Sequence, residues 1–117
     1  MSTPTEIRYR KNSKILCIQF DDGLNAELSA EYLRVHSPSA EVKGHGPGQE
    51  VLQTDKQDVA ISKIEPIGNY AVRLVFDDGH DSGLYSWKYL HELSEHQEDN
   101  WHKYLQRCKD AGVRREA

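Results

Sequence analysis

Apolar residues fall on every second position in two stretches of this chain, Leu16, Ile18, Phe20 and Val72, Leu74, Phe76. That period places each trio on one face of a half-buried strand. Both stretches run into Phe-Asp-Asp-Gly, at 20–23 and 76–79, an offset of 56. Asp-Gly after such a strand predicts a hairpin through a type I′ turn, which needs positive φ at both central residues. A second strand then follows each turn, at about 24–28 and 80–85. Ser-x-x-Tyr-Leu comes next, at 29–33 and 86–90, now offset by 57, so one residue is inserted between the landmarks. Ser29 and Ser86 are placed to cap short helices, because a serine oxygen accepts an orphan backbone N–H. Each half also has an earlier strand. Ile7 and Tyr9 alternate before a Lys11-Asn12-Ser13 turn, and 59–65 precedes a turn at Pro66-Ile67-Gly68-Asn69.

The pattern predicts an α+β fold whose antiparallel sheet is built from two repeated units, strand–turn–strand–Asp-Gly turn–strand–helix, with helices covering one face. Residues 37–49, with two prolines and three glycines, read as a loop with little regular structure. Trp101, Tyr104, Leu105 and Cys108 have i, i+3, i+4, i+7 spacing, one stripe of an amphipathic C-terminal helix over about 96–111. Asp99 or Asn100 can start it and Gly112 can end it, leaving a frayed tail over 112–117. The 117 residues are one domain's worth of sequence.

Composition narrows the classes. Hydrophobic residues are 37% and charged residues 29%, with a mean hydropathy of -0.79, which fits a well-solvated domain with a thin core. The net charge of -4 argues against nucleic-acid binding, since positive charge is not clustered. The longest aliphatic run, Ile15 to Ile18, is far too short to cross a membrane. The N-terminus has no apolar segment of the secretory type, and two distant cysteines make no disulfide framework, so a cytoplasmic, reduced protein is expected. Cys17 and Cys108 read as buried small hydrophobes.

Candidate chemistry is sparse. The Asp21-Asp22 and Asp77-Asp78 pairs could serve as paired carboxylates, but turn chemistry alone accounts for Asp22 and Asp78. His91 and His96 are five apart and so diverge by about 140° around a helix, unlike the i, i+4 histidines of a zincin. His96-Gln97-Glu98 matches half of an iron facial triad, with only His102 downstream. Gly44-His45-Gly46-Pro47-Gly48 lacks the lysine and hydroxyl of a phosphate-binding loop. Tyr85, Trp87 and Tyr89 form the densest aromatic cluster. At a strand–helix junction such residues serve as core, and if partly exposed they make a recognition surface.

Ile64 to Val72, Phe76 to Trp87 and Tyr32 to Val42 together resemble the gamma-butyrobetaine hydroxylase-like N-terminal domain family, over about 5–95. Its Gly-Asn-Tyr-Ala and Asp-Gly-His pieces stand here at 68–71 and 78–80. The resemblance implies a small bacterial domain, long counted among domains of unknown function. Such domains stand alone, precede carnitine-pathway hydroxylases, or follow iron–sulfur carrier ATPases. In the hydroxylases the domain is not the oxygenase, and it holds a structural zinc through three cysteines and a histidine. Matching Leu33-Arg34 to that motif puts Ser37, Ser39 and Val42 at the cysteine positions and His80 at or near the histidine. The histidine is kept and every thiolate is lost, and serine and valine are poor zinc ligands or none.

Three functions follow as expectations. The leading one is a non-enzymatic accessory domain that binds a protein partner, without cofactor, nucleic acid or membrane. The alternative is an iron- or zinc-binding protein that uses His36, His45, His80, Asp78 and Asp81, linked to iron–sulfur assembly. The third is an enzyme with Asp78, His80 and Asp81 as acid–base groups.

Overall fold

The computed structural model describes residues 2–44 and 50–115. Strands β1 (Pro4–Arg10), β2 (Ile15–Phe20) and β3 (Asn25–Ser29) form one antiparallel sheet, followed by helices α1 (Ala30–Val35) and α2 (Ala40–Lys43). Strands β4 (Ile61–Ile67), β5 (Ala71–Phe76) and β6 (Leu84–Ser86) form a second, followed by α3 (Trp87–Glu95) and α4 (Gln97–Asp110). The α+β class and the repeated unit hold, with the strands divided between two three-stranded sheets in sequential order. Among the described residues no helix is long and apolar enough to cross a membrane.

The repeat is structural down to single hydrogen bonds. In the first unit Asp21 N–H donates to the Thr3 carbonyl and Thr3 N–H to Asp21 Oδ1; in the second Asp77 N–H donates to the Ala60 carbonyl and Ala60 N–H to Asp77 Oδ1. The same irregularity in register falls between Pro4 and Glu6 and between Ile61 and Lys63. Ser29 and Ser86 cap α1 and α3 as expected, accepting from Tyr32 N–H and Tyr89 N–H.

The turns differ from the expected type I′. Gly23 and Gly79 have φ of +93° and +91°, but Asp22 and Asp78 do not share the positive-φ region. Gly23 N–H donates to the Phe20 carbonyl and Phe20 N–H to the Leu24 carbonyl, a pattern repeated by Gly79, Phe76 and His80. This is a type I turn closed by a glycine bulge. Asp22 Oδ1 and Asp78 Oδ1 accept from the second residue onward, Leu24 and His80, which fixes the bend from within.

Each unit then reaches across to the other. Arg34 of α1 binds Asp78 of the second turn (2.9 Å), and His91 of α3 binds Asp22 of the first (2.7 Å). Between them the inward residues Leu16, Ile18, Phe20, Val72, Leu74 and Phe76 share one core. Cys17 is only half-buried, because the same alternation turns it to the opposite face of β2, whereas Cys108 is buried beside Tyr104 and Val35.

Several boundaries shift. β6 begins at Leu84, so 80–83 is not strand, and β4 runs on through Pro66, which the free edge of a sheet tolerates. The loop after Ser37 contains α2, capped by Ser39. α4 starts at Gln97, two residues before Asp99, with His96 at its cap position and no side-chain cap. Beyond Gly112, where a frayed tail is expected, the chain as far as Arg115 makes contacts. Val113 packs beside Cys108, and Arg115 pairs with Glu31 (2.6 Å) while lying over the Trp101 and Tyr104 rings.

Candidate functional site

Of the polar residues singled out in the sequence, Ser37, Ser39, Asp78 and His80 gather where α1 meets α2 and the second turn. α1 ends at His36, and Ser37 Oγ then accepts the Ser39 N–H (3.2 Å). Ser39 caps α2, which places Glu41 in its first turn. From the other side the bulge after Gly79 presents His80. Its Nε2 lies 2.8 Å from Ser37 Oγ and its Nδ1 lies 3.1 Å from Glu41 Oε2. Ser39 Oγ meets Ser82 Oγ at 2.7 Å. Residues 43 apart in sequence are thus joined twice.

The bonding pattern and burial together assign the protons. A carboxylate only accepts, so His80 Nδ1–H donates to Glu41; burial favours the uncharged ring, whose Nε2 accepts the Ser37 hydroxyl proton while Ser37 Oγ accepts the Ser39 N–H. That is a neutral imidazole. Burial, then the nearby Arg34 charge, push the His80 pKa below its ordinary value, against the pull of Glu41. Asp78 sits alongside. Burial draws its pKa up, but Lys56, the His80 N–H and Arg34 outweigh it and hold the carboxyl at about 2.

Serine, histidine and carboxylate in this order resemble a nucleophile, its base and the base's orienter. Ser37, however, is 0% exposed, so no substrate carbonyl can reach its oxygen. Asp78 is committed to Arg34 and Lys56, and Asp81 stands exposed on the loop. The acid–base trio of Asp78, His80 and Asp81 is therefore not assembled around a common reacting position.

The family resemblance implies a zinc at this place. Ser37 and His80 do meet, as the residue matching requires, and Val42 is buried nearby on α2. Yet both His80 nitrogens are engaged, two hydroxyls and a valine replace three thiolates, and Gly83 packs so closely that an added Cβ would lie 2.5 Å from Ser37 Oγ. This donor set does not fit zinc. His36 does not join it. The His36 Nδ1–H donates to the Tyr32 carbonyl (2.9 Å) and the ring lies against Tyr32, with burial as the main cause lowering its pKa. His45 lies outside the described residues. Among the described residues no three His, Cys, Asp or Glu side chains are grouped so as to hold a metal ion.

The aromatic cluster divides. Tyr85 is fully buried, its hydroxyl donating to the Leu33 carbonyl, and belongs to the core rather than to any surface. Tyr89 is half-buried. Its hydroxyl donates to the His36 carbonyl (2.6 Å), accepts from Lys43 Nζ (3.1 Å), and borders a cleft of about 430 Å³ with His36, Glu92, His96 and Asn100. Trp87 is half-buried with its Nε1–H donating to the Asn69 carbonyl (2.7 Å). Sequence reasoning missed Glu41, Arg34, Lys56, Ser82 and Gly83. Glu41 carries no local signal, since its role depends on a histidine 39 residues away.

The sequence profile described as gamma-butyrobetaine hydroxylase-like, N-terminal, matches residues 7–91. Two solution NMR structures are similar over 99% of this chain. One is 46% identical with a TM-score of 0.85 over 91% of its own chain, and the other 52% identical with a TM-score of 0.83 over 86% of its own. A crystal structure from Acidithiobacillus ferrooxidans, of a protein of unknown function in the DUF971 family, is 34% identical with a TM-score of 0.66, covering 79% of this chain and 92% of that one. No curated protein matches the chain.

Proposed function

Because the chain belongs to the gamma-butyrobetaine hydroxylase-like N-terminal family, we propose that it is a non-enzymatic accessory domain that works by binding a protein partner. The observation that carries this reading is the use to which the polar groups are put. Ser37, Ser39 and His80 are buried and, with the exposed Glu41 bonded to His80 from the rim, they join the two units, where an enzyme would open them to a substrate. Large apolar side chains that do stand open to solvent among the described residues are Tyr70 (58% exposed), Val51 (52%) and Leu84 (48%). Cytoplasmic placement fits two free thiols, and a net charge of -4 fits a protein partner better than nucleic acid.

The test is in-cell crosslinking of the tagged full chain at native expression, followed by identification of bound proteins. One partner recovered in near-equal amount to the chain is expected. Recovery of none, across several growth conditions, would count decisively against the reading.

A further inference from the structure

The two units should be alike at the seam where β1 and β4 face each other, and they are not. By strand register Tyr9 of the first unit corresponds to Pro66 of the second, since Tyr9 pairs with Leu16 and Pro66 with Val72. Pro4 corresponds likewise to Ile61, the partners of Phe20 and Phe76. On one side of the seam the Tyr9 ring packs into the core and its hydroxyl accepts the Ile61 N–H (3.0 Å). On the other side the equivalent places hold Pro66, with no ring to lay across, and Pro4, with no N–H to offer. Trp87, where the first unit has Ala30, packs against the core here and borders the groove. What remains is an open groove of about 380 Å³ with Ile7, Ile64 and Val72 along it and Pro4, Pro66 and Trp87 around it.

We propose that this groove is a docking site for an aromatic side chain, flanked by a basic residue, on the protein partner. The proposal rests on the protein-binding reading above. The first unit shows what suits the place: a phenol ring, supplied there from within the chain by Tyr9. A ring entering between two prolines and against the indole buries apolar area and gains an aromatic contact. Trp87 is pre-oriented for this by its bond to the Asn69 carbonyl. Aromatic anchors seated in such recesses carry much of the energy of protein interfaces. The flanking charge follows from Glu6, which lines the groove, is exposed, and has no ion-pair partner among the described residues. A lysine or arginine beside the ring would meet it.

The experiment follows amide and indole NMR signals of the isotope-labelled full chain during addition of blocked Lys-Tyr-Lys, Lys-Ala-Lys and Glu-Tyr-Glu tripeptides. Saturable shifts at Ile7, Ile64, Val72 and the Trp87 indole are expected with Lys-Tyr-Lys, with affinity about tenfold lower for Lys-Ala-Lys and about threefold lower for Glu-Tyr-Glu. Pro66→Tyr, which gives the second unit the residue of the first, should abolish them. Glu6→Lys, an exposed change that leaves the fold alone, should reverse the preference between Lys-Tyr-Lys and Glu-Tyr-Glu and decides the matter if Pro66→Tyr does not fold. Absence of shifts with Lys-Tyr-Lys, equal binding of Lys-Ala-Lys, or indifference to Glu6→Lys overturns the proposal. The crosslinking experiment separates the two readings. A partner retained equally by wild type, Pro66→Tyr and Glu6→Lys removes the groove but keeps the protein-binding reading. Selective tripeptide binding without any cellular partner keeps the groove's chemistry and removes that reading.

Discussion

Tyr32 and Tyr89 make the same hydrogen bond in opposite directions. Tyr32, in α1, donates its hydroxyl to the Leu93 carbonyl of α3 (2.7 Å), and Tyr89, in α3, donates its own to the His36 carbonyl at the end of α1 (2.6 Å). Each tyrosine stands third after its capping serine, and each acceptor stands four residues beyond the other helix's tyrosine. The helices of the two units are therefore tied by one contact used twice.

The two ties are unequal in surroundings, so their removal should cost differently. Tyr32 is 2% exposed and also accepts from Asn100 Nδ2, whereas Tyr89 borders an open cleft. Tyr32→Phe should cost about 1–2 kcal/mol, through a buried carbonyl left unpaired, and Tyr89→Phe less than about 1 kcal/mol, because water can replace its hydroxyl. Urea unfolding of both variants measures this, and a larger loss for Tyr89→Phe would contradict the burial argument.

Gly23 and Gly79 hold φ near +90° with nothing within 4 Å of an added Cβ, so alanine there meets strain and no clash. Gly23→Ala and Gly79→Ala should each cost roughly 1 kcal/mol or more, and by similar amounts. Thermal midpoints unchanged in both variants would show that the bulged turns do not need glycine.

Three histidines should titrate on opposite sides of the ordinary value of about 6.5. The Asp22 hydrogen bond, assisted by Glu95, raises His91, which faces a carboxylate at each ring nitrogen and so donates from both only as the cation. Burial lowers His36 and His80. The signs then differ: stability from His91 is complete below about pH 6.5 and is lost as pH rises through its folded value, while that from His36 and His80 is complete above about 6.5 and is lost as pH falls. Imidazole proton shifts followed from pH 4 to 9 will assign each value. His80 titrating above His91 would overturn the neutral Ser37–His80–Glu41 arrangement.

Gly83 and Ser37 should be coupled. Gly83→Ala places its Cβ 2.5 Å from Ser37 Oγ and 3.1 Å from the Tyr85 ring, so it should destabilise by about 1–3 kcal/mol. With Ser37→Ala the nearest obstacle is gone, and the cost of Gly83→Ala should fall by about 1 kcal/mol. Identical costs in both backgrounds would mean that the serine is not what excludes a side chain at Gly83.

The joint should be indifferent to chelation. Since Ser37, Ser39, Glu41, His80 and Ser82 satisfy one another, EDTA is expected to leave the thermal midpoint unchanged. A structural zinc contributes on the order of 10 kcal/mol to a small domain, so its loss would be conspicuous. Ser37→Cys, Ser39→Cys and Val42→Cys together should instead make the midpoint rise with added zinc.

Much of the scaffold was legible because it is written locally. The alternation before Phe20 and Phe76, the Asp-Gly pairs and the capping serines each fix their own neighbourhood, and all three kinds of signal agree with the final fold. The turn type was also within reach, because a Gly that alone needs positive φ after Asp-Asp suits the three-residue bulged loop. The division into two sheets was not, since nothing in β3 or β4 states which edge stays free. α2 escaped notice because four residues are too few for a helical period and stand among glycines and prolines. At the joint, Ser37 and His80 could be paired through the resemblance, but Glu41 could not, because its contact is made only when α2 turns it towards the second unit.

Arg34 and His91 occupy the same place in their units, as do Asp22 and Asp78, and each pair is completed across the seam. Where residue i meets j and j meets i, the contact surface is self-complementary in the manner of a symmetric homodimer. The chain is thus built as a tethered dimer of about 57 residues per protomer, with both protomers on one polypeptide. On one polypeptide the halves need not be alike: Tyr9 stands at a seam position where the other half has Pro66, and a permanent guanidinium, Arg34, serves one clasp where a titratable imidazole, His91, serves the other. An untethered pair of identical protomers would have to change both sites at once, so asymmetry at Pro66 and at His91 is something only the fused arrangement makes available.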